Sequence, residues 1–322
     1  MLAFRHLLLA AALLLPLSVS SQAAAKYPEK PIRLLVGFPA GGSADIVARL
    51  VTEAIAKNSG FEFIIENRTG AGGNIAFESA ASATPDGYTL LFSTPGVAIN
   101  PSLYSNIKFS SEDFTPVAFV GEAPLIIMVR PSLGIQTVDE LVAESKKDPE
   151  AIRFASSGSG STSHLAAEVF RSMSGMQYLH VPYRGGGAAI TDLIGDRVDM
   201  TVLPIAESMP YVNDGKLVAI GQTGSRRSGI ALDVPTIDEA GVPGYSVATW
   251  YMLLGPKGLP EPVVERLHEV FSRALETDDL KKTLEVRGVN VINAGPQEAA
   301  TFLKQQSENW AKAIETSGIK LN

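Results

Sequence analysis

Hydrophobic and polar positions alternate along the chain in a repeating order of strand and helix. Ile32–Gly37 is a short apolar run that predicts a buried strand, and Ser43–Lys57 carries an apolar stripe at helical spacing. A second strand (Phe61–Glu66), an alanine-rich helix (Asn74–Ala83) and a third strand (Thr89–Ser93) follow. This order predicts a parallel sheet with helices on its faces.

The same alternation restarts in the middle of the chain. The predicted elements there are the helices Val138–Lys147, His164–Ser172 and Ala188–Ile194 and the strands Arg153–Ala155, Tyr178–Pro182, Met200–Leu203 and Leu217–Thr223. Two successive α/β units predict two α/β lobes.

Two long apolar segments, Ala118–Arg130 and Tyr245–Gly255, are predicted to cross between the lobes. If the chain crosses twice, the C-terminal helices belong to the first lobe. These are Glu261–Glu276, Leu280–Val286 and Pro296–Ser317. We therefore expect lobe 1 to comprise residues 26–123 and 247–322, and lobe 2 to comprise residues 124–246.

Residues 1–25 have the pattern of a secretory signal peptide. Arg5 and His6 precede the apolar run Leu7–Val19, which Pro16 interrupts, and small residues ending at Ala25 follow. An N-terminal membrane anchor is the alternative, but the run is shorter than the roughly 20 residues that a spanning helix needs. We expect cleavage near Ala25 and a periplasmic location.

Composition narrows the possible functions. The chain has no cysteine, which excludes disulfides, thiolate metal sites, cysteine nucleophiles and a lipid anchor on cysteine. A hydrophobic content of 45% supports a sizeable core, and the formal net charge of −7 argues against a nucleic-acid partner. Net charge does not exclude an anionic ligand, because backbone dipoles at a helix start bind anions locally.

The first glycine-rich loop, Gly37–Asp45, joins the first predicted strand to the first predicted helix. Its glycines let a ligand approach the backbone, and the helix start offers unpaired N–H groups at a positive dipole end. Ser43 follows Gly42 directly, so the lysine of a phosphate-binding loop is missing, which argues against nucleotide hydrolysis. Asp45 either contacts a ligand or pairs with Arg49, four residues later.

The second loop, Phe154–His164, also leads from a strand into a helix, with Ser161 or Thr162 as a natural N-cap. Such a helix start is a ready anion site. Serines flank Ser159 where a nucleophile elbow requires glycine. A periplasmic hydrolase that uses a serine of this loop, with His164 as the base, is the enzymatic alternative.

Two further loops have the same character. In Val181–Gly187, Tyr183 is placed to cover a ligand, and Arg184 either pairs with a ligand carboxylate or faces solvent and a local acid such as Asp192. The loop Asn67–Asn74 is rich in glycine but lacks the dinucleotide-binding spacing. The histidines show no metal-binding spacing, so we expect no metal and no cofactor.

These loops belong to a longer ordered set of motifs that covers the chain after residue 26. The motifs are Tyr27-Pro28-x-Lys30-Pro31-Ile32, Phe38-Pro39-Ala40-Gly41-Gly42-x-x-Asp45-x-x-Ala48-Arg49, Glu66-Asn67-Arg68-x-Gly70-Ala71-Gly72-Gly73, Pro85-Asp86-Gly87-Tyr88-Thr89-Leu90, Asn100-Pro101-x-Leu103-Tyr104, Gly158-x-Gly160-Ser161-x-x-His164-Leu165-Ala166-x-Glu168, Val181-Pro182-Tyr183-x-Gly185, Gly195-x-x-Val198-Asp199, Pro235-Thr236 and Gly255-Pro256. Any one motif is weak evidence for a family. With all of them in this order, the chain resembles the tripartite tricarboxylate transporter substrate-binding family, also called the Bug family of periplasmic receptors.

The resemblance implies an α/β fold: a two-lobed periplasmic binding protein of type II, or Venus flytrap. Each lobe would be a mainly parallel sheet flanked by helices, with two crossover strands. It implies a monomeric, non-enzymatic receptor that captures an amino acid, a di- or tricarboxylate or an aromatic acid. The partners would be the integral-membrane subunits of a tripartite tricarboxylate transporter. A sensor kinase that receives the bound ligand is the alternative partner.

The resemblance also implies which residues contact the ligand. From lobe 1 these are Phe38, Ala40, Gly41, Gly42, Ser43, Asp45, Ser93 and Thr94. From lobe 2 they are Ser157, Gly158, Ser159, Gly160, Ser161, Thr162, Tyr183 and Gly185.

Overall fold

A computed structural model describes residues 27–148 and 151–317 of the 322-residue chain. The predicted signal peptide lies outside the described residues. Within them, no helix combines the length and the apolar character needed to cross a bilayer.

The described residues alternate between strands and helices. The strands are β1 (Ile32–Val36), β2 (Phe63–Asn67), β3 (Thr89–Ser93), β4 (Phe114–Val129), β5 (Arg153–Ser156), β6 (Leu179–Pro182), β7 (Met200–Pro204), β8 (Val218–Gln222), β9 (Ala248–Pro256) and β10 (Asn290–Ala294). The helices are α1 (Ser43–Ser59), α2 (Asn74–Ala81), α3 (Gly96–Leu103), α4 (Val138–Lys147), α5 (Thr162–Ser174), α6 (Gly186–Ile194), α7 (Ile205–Asn213), α8 (Glu261–Glu276), α9 (Asp278–Glu285) and α10 (Pro296–Ser317).

Parallel strands form the outer part of the sheet in each lobe. In lobe 1, β1 pairs in parallel with β2 and β3, and in lobe 2, β5 pairs in parallel with β6 and β7. Antiparallel strands complete both sheets: β9 joins β3 to β4, and β4 also pairs with β7, β8 and β10. The sheets are therefore mixed rather than mainly parallel.

Strand β4 connects the two lobes. Its first part, up to Pro124, pairs with β9, and its last part, from Leu125, pairs with β7. The chain returns through Tyr245–Val247, where the Val247 N–H donates to the Thr223 carbonyl at 2.8 Å before β9 begins. The predicted return crossing is therefore shorter than Tyr245–Gly255, because within the described residues β9 pairs only with β3 and β4. The exact lobe boundaries remain a prediction.

The central strands are buried on both faces, which explains their continuous apolar sequences. Along β4, Leu125 and Ile127 pack into one hydrophobic cluster, whereas Ile126 and Met128 pack into the cluster on the opposite face. Burial of each such side chain stabilises the fold by about 1.5–3 kcal/mol.

The C-terminal helices pack on lobe 1. Leu267 and Phe271 of α8 share a hydrophobic cluster with Ile32 of β1. Ala299 and Leu303 of α10 pack into the cluster on the other face of the same sheet. This is the arrangement expected for a chain that crosses between the lobes twice.

Candidate functional site

A small cavity lies between the two lobes where three helices begin. The helices are α1 at Ser43, α5 at Thr162 and α6 at Gly186, and the cavity volume is about 50 Å³. Its lining residues are Phe38, Pro39, Gly42, Ser43, Ala44, Thr94, Leu125, Ser157, Ser161, Thr162, Ser163, Gly185, Gly186, Pro204, Glu207, Thr249 and Tyr251. We call this cavity the interlobe cleft. Each helix start brings backbone N–H groups and a positive dipole end to the cleft.

The loop before α1 is held by the side chain of Asp45. This carboxylate accepts hydrogen bonds from the Gly41 N–H, the Arg49 guanidinium and the Asn67 amide, all at 2.9 Å. Burial alone would raise the pKa of Asp45, which is 2% exposed, but these hydrogen bonds outweigh it and lower the pKa. Asp45 is therefore an ionised group that fixes the loop, and its oxygens already have donors.

The loop before α5 is organised by Ser161. Its hydroxyl oxygen accepts the His164 N–H at 3.3 Å, which makes Ser161 the N-cap, and its hydroxyl donates to the Gly158 carbonyl at 2.7 Å. The hydrogen bonds found within the described residues include none from the backbone N–H groups of Thr162 and Ser163. These two donors lie at the cleft, available to an anionic group.

The buried His164 and the partly buried His180 support this loop from behind. The rings of His164 and His180 stack with centroids 4.1 Å apart. His164 Nδ1 accepts the Gly160 N–H at 3.2 Å, and His180 Nε2 lies 2.7 Å from the Ser156 hydroxyl oxygen. Burial lowers the pKa of both histidines. His164 is 3% exposed and does not line the cleft, so its position does not suit a base for a serine of this loop.

Glycine is needed where the loop before α6 meets lobe 1. Gly185 has a φ of 143°, and a Cβ atom there would lie 2.9 Å from Cγ of Pro39. Similarly, a Cβ on Gly72 would collide with the carbonyl oxygen of Ser159. The Tyr104 hydroxyl donates to that same carbonyl, so the lobes contact each other directly beside the cleft.

The structure brings half of the predicted ligand contacts together around the cleft. These are Phe38, Gly42, Ser43, Thr94, Ser157, Ser161, Thr162 and Gly185. Gly158, Ser159 and Tyr183 instead line a neighbouring cavity, together with Arg184. The Tyr183 hydroxyl donates to Asp192 at 2.7 Å.

The other predicted contacts line neither cavity. They are Ala40, Gly41, Asp45, Ser93 and Gly160. The hydroxyl of Ser93 is buried and donates to the Thr94 carbonyl at 3.1 Å. In this structure these residues shape the loops rather than the cleft surface.

Sequence reasoning missed Glu207 and Tyr251. Tyr251 lies in β9, where its hydroxyl is hydrogen-bonded to that of Ser43. Glu207 lies in the first turn of α7, a helix that we did not predict, and its carboxylate accepts the Ser43 N–H. Burial raises the pKa of Glu207 to about 7. The sequence signal that could have identified Glu207 is an acidic residue three positions after the end of an apolar strand.

The cleft carries no cationic side chain among its described lining residues. Glu207 and Tyr251 are the titratable groups in that lining. Favourable interactions with an anion therefore have to come from backbone N–H groups, hydroxyls and helix dipoles. This chemistry suits a small carboxylate.

Comparison with known proteins places the chain among receptors of one family. The model described as "Tripartite tricarboxylate transporter family receptor" matches residues 47–319. The structure of the periplasmic binding protein BugD has a TM-score of 0.87 and 32% identity, covering 91% of this chain and 99% of that chain.

Two similar structures contain a bound carboxylate. R. palustris Rpa4515 with adipate has a TM-score of 0.87 and 32% identity, covering 91% of this chain and 99% of that chain. MatC (Rpa3494) from Rhodopseudomonas palustris, with bound malate, has a TM-score of 0.85 and 31% identity, covering 89% of this chain and 100% of that chain. These matches confirm the predicted fold class.

Proposed function

The chain belongs to the tripartite tricarboxylate transporter receptor family, and from that membership we propose that its interlobe cleft captures a small organic acid. Members of this family are solute-binding receptors rather than enzymes. The chain is accordingly a periplasmic solute-binding receptor, and the enzymatic alternative is wrong. The proposed ligand is an amino acid, a di- or tricarboxylate or an aromatic acid.

One observation carries the proposal: three helix N-termini from two lobes converge on one small cavity. Ser43 begins α1 in lobe 1, whereas Thr162 and Gly186 begin α5 and α6 in lobe 2. A carboxylate between them receives backbone hydrogen bonds, each contributing roughly 1.5–3 kcal/mol because the acceptor is charged. It also interacts favourably with the helix dipoles. The sixteen contacts expected from the resemblance remain part of this proposal.

Capture requires the lobes to separate and close again. The contacts of Gly72 with Ser159 and of Gly185 with Pro39 join the lobes beside the cleft, so a ligand enters when these contacts open. Closure around the ligand removes water from the carboxylate, which strengthens its hydrogen bonds. The ligand favours the closed form only by its difference in affinity for the two forms.

The proposed partners are the integral-membrane subunits of a tripartite tricarboxylate transporter, which would take the ligand from the closed receptor. A sensor kinase that reads the same closed form is the alternative partner. Uptake of radiolabelled ligand by cells lacking this receptor separates the two. Lost uptake supports transport, whereas normal uptake with a lost transcriptional response supports the sensor.

The binding proposal is tested by thermal-shift and calorimetric titration with small organic acids and their neutral amides. Only the acids should raise the melting temperature. Thr162→Pro removes one N–H at the first position of α5, where proline is tolerated. It should weaken acid binding by about tenfold or more.

Thr162→Val is the matched control, because it also removes the hydroxyl but keeps the N–H. Its affinity should stay near that of the wild type. The proposal fails if no organic acid binds at millimolar concentration, or if the proline and valine variants bind equally well.

A further inference from the structure

Glu207 places a carboxylate of the protein itself inside the interlobe cleft. It is carried by the first turn of α7 in lobe 2, and it accepts a hydrogen bond from the Ser43 N–H at the start of α1 in lobe 1. The same carboxylate packs against the start of α6, because a Cβ on Gly186 would lie 2.6 Å from its carboxyl carbon. Glu207 thus occupies a position between two helix N-termini that would suit a ligand carboxylate.

The surroundings of Glu207 contain no compensating cation. None of the described lining residues of the cleft is Lys, Arg or His, and Tyr251 of β9 is the other titratable group there. Burial therefore raises the pKa of the Glu207 carboxyl to about 7. A second anionic group nearby would be repelled by it, whereas a cationic group would restore a more ordinary pKa.

Free backbone donors also line the cleft at the start of α5. The N–H groups of Thr162 and Ser163 begin α5, and within the described residues neither donates to a protein acceptor. The cleft therefore combines one vacant helix start, that of α5, with two helix starts, those of α1 and α6, between which a carboxylate already lies.

We propose that Glu207 determines the ligand class, so that the cleft takes a monocarboxylate that also carries an ammonium group. The ligand carboxylate binds the α5 N-terminus, and the ammonium donates to Glu207. This inference rests on the proposed function and narrows it to amino-carboxylates. It separates this chain from the similar structures that hold adipate and malate, which are both dicarboxylates.

The test compares acids of equal length that differ only at one end. γ-Aminobutyrate and succinate form one pair, and ε-aminocaproate and adipate form a longer pair. Calorimetry at pH 8 gives the affinity ratio within each pair. For the wild type, at least one pair should favour the ammonium member by about tenfold or more, because a buried charge pair is made only with that member.

Glu207→Gln keeps the shape of the side chain and removes its charge. It should reduce that preference by about tenfold or more. Glu265→Gln is the matched control, since it removes the same charge from an exposed position on α8. Its preference should equal that of the wild type.

The outcomes distinguish a failure of this inference from a failure of the proposed function on which it rests. If the wild type binds the dicarboxylate at least as tightly as the ammonium member in both pairs, or if Glu207→Gln leaves the preference unchanged, this inference is overturned and the carboxylate receptor stands. If folded protein binds no acid of either pair and no other organic acid at millimolar concentration, the proposed function falls with it.

Discussion

The carboxylate of Glu207 in lobe 2 accepts a hydrogen bond from the backbone N–H of Ser43 in lobe 1. This single contact joins the first turns of α7 and α1 across the cleft. It also places a partly buried carboxylate where the described lining provides no positive side chain. The stability of the closed form should consequently depend on the protonation of one residue.

Glu207 gives a pH dependence with a defined sign. Its folded-state pKa of about 7 is above the ordinary value of 4.5, so its stabilising contribution is complete below pH 4.5 and is lost as pH rises through 7. Glu207→Gln should therefore gain up to about 3 kcal/mol over the wild type between pH 4.5 and pH 8. Urea unfolding at both values measures this, with Glu265→Gln as the control; an equal gain at both values would contradict the assignment.

His180 gives the opposite dependence in the acid range. Burial, together with the neighbouring His164, lowers the pKa of His180 from 6.5 to about 3. The stability that this neutral histidine contributes is present above pH 6.5 and is lost as pH falls toward 3. Wild-type stability should drop by up to about 4 kcal/mol over that range through this residue. His180→Gln should show a flatter profile; a parallel profile would refute the contribution of His180.

Gly72 should be required for closure of the lobes. A Cβ there would collide with the Ser159 carbonyl of the other lobe, and Gly72 has a φ of 64°. Gly134→Ala is a matched control, because Gly134 has a φ of 73° but open space around it. Both variants should lose about 1–2 kcal/mol from the left-handed backbone. Only Gly72→Ala should also weaken ligand binding, which calorimetry would measure; equal affinities would exclude a role in closure.

Asp45 should matter for stability through its loop. Asp45→Asn removes the charge that binds Arg49 and leaves one acceptor oxygen for donors that two oxygens serve in the wild type, so it should cost about 1–3 kcal/mol. Glu53→Gln breaks an exposed pair with Lys57 on the same helix and should cost clearly less stability than Asp45→Asn. Chemical denaturation measures both. Equal costs would mean that the Asp45 network does not hold the loop.

Much of the fold was predictable because its elements have strong periodicity. The strand Thr89–Ser93 and the helices Val138–Lys147 and Glu261–Glu276 have the predicted bounds. Helix α7 was missed because Pro204 precedes it and Pro210 lies inside it, which local sequence rules treat as breaks.

The site was only partly predictable from the sequence. Loops such as Gly37–Asp45 indicate helix starts through their local composition, and Ser43 and Thr162, both predicted as ligand contacts, line the cleft. Glu207 and Tyr251 reach the cleft only through tertiary packing, since Tyr251 lies 208 residues from its partner Ser43. Asp45 was predicted as a ligand contact from its position in the loop, but in the structure it does not line the cleft. Its carboxylate oxygens accept hydrogen bonds from Arg49 and Asn67 instead.

The most direct measurement is mass spectrometry of the small molecule that co-purifies with the receptor from the periplasm. The intact complex is measured first under native conditions, and the released molecule is then identified after the protein is denatured. The account predicts an organic acid with at least one carboxylate, whose release lowers the melting temperature and whose return restores it. A specifically bound molecule without any carboxylate, such as a neutral sugar, would contradict the central claim.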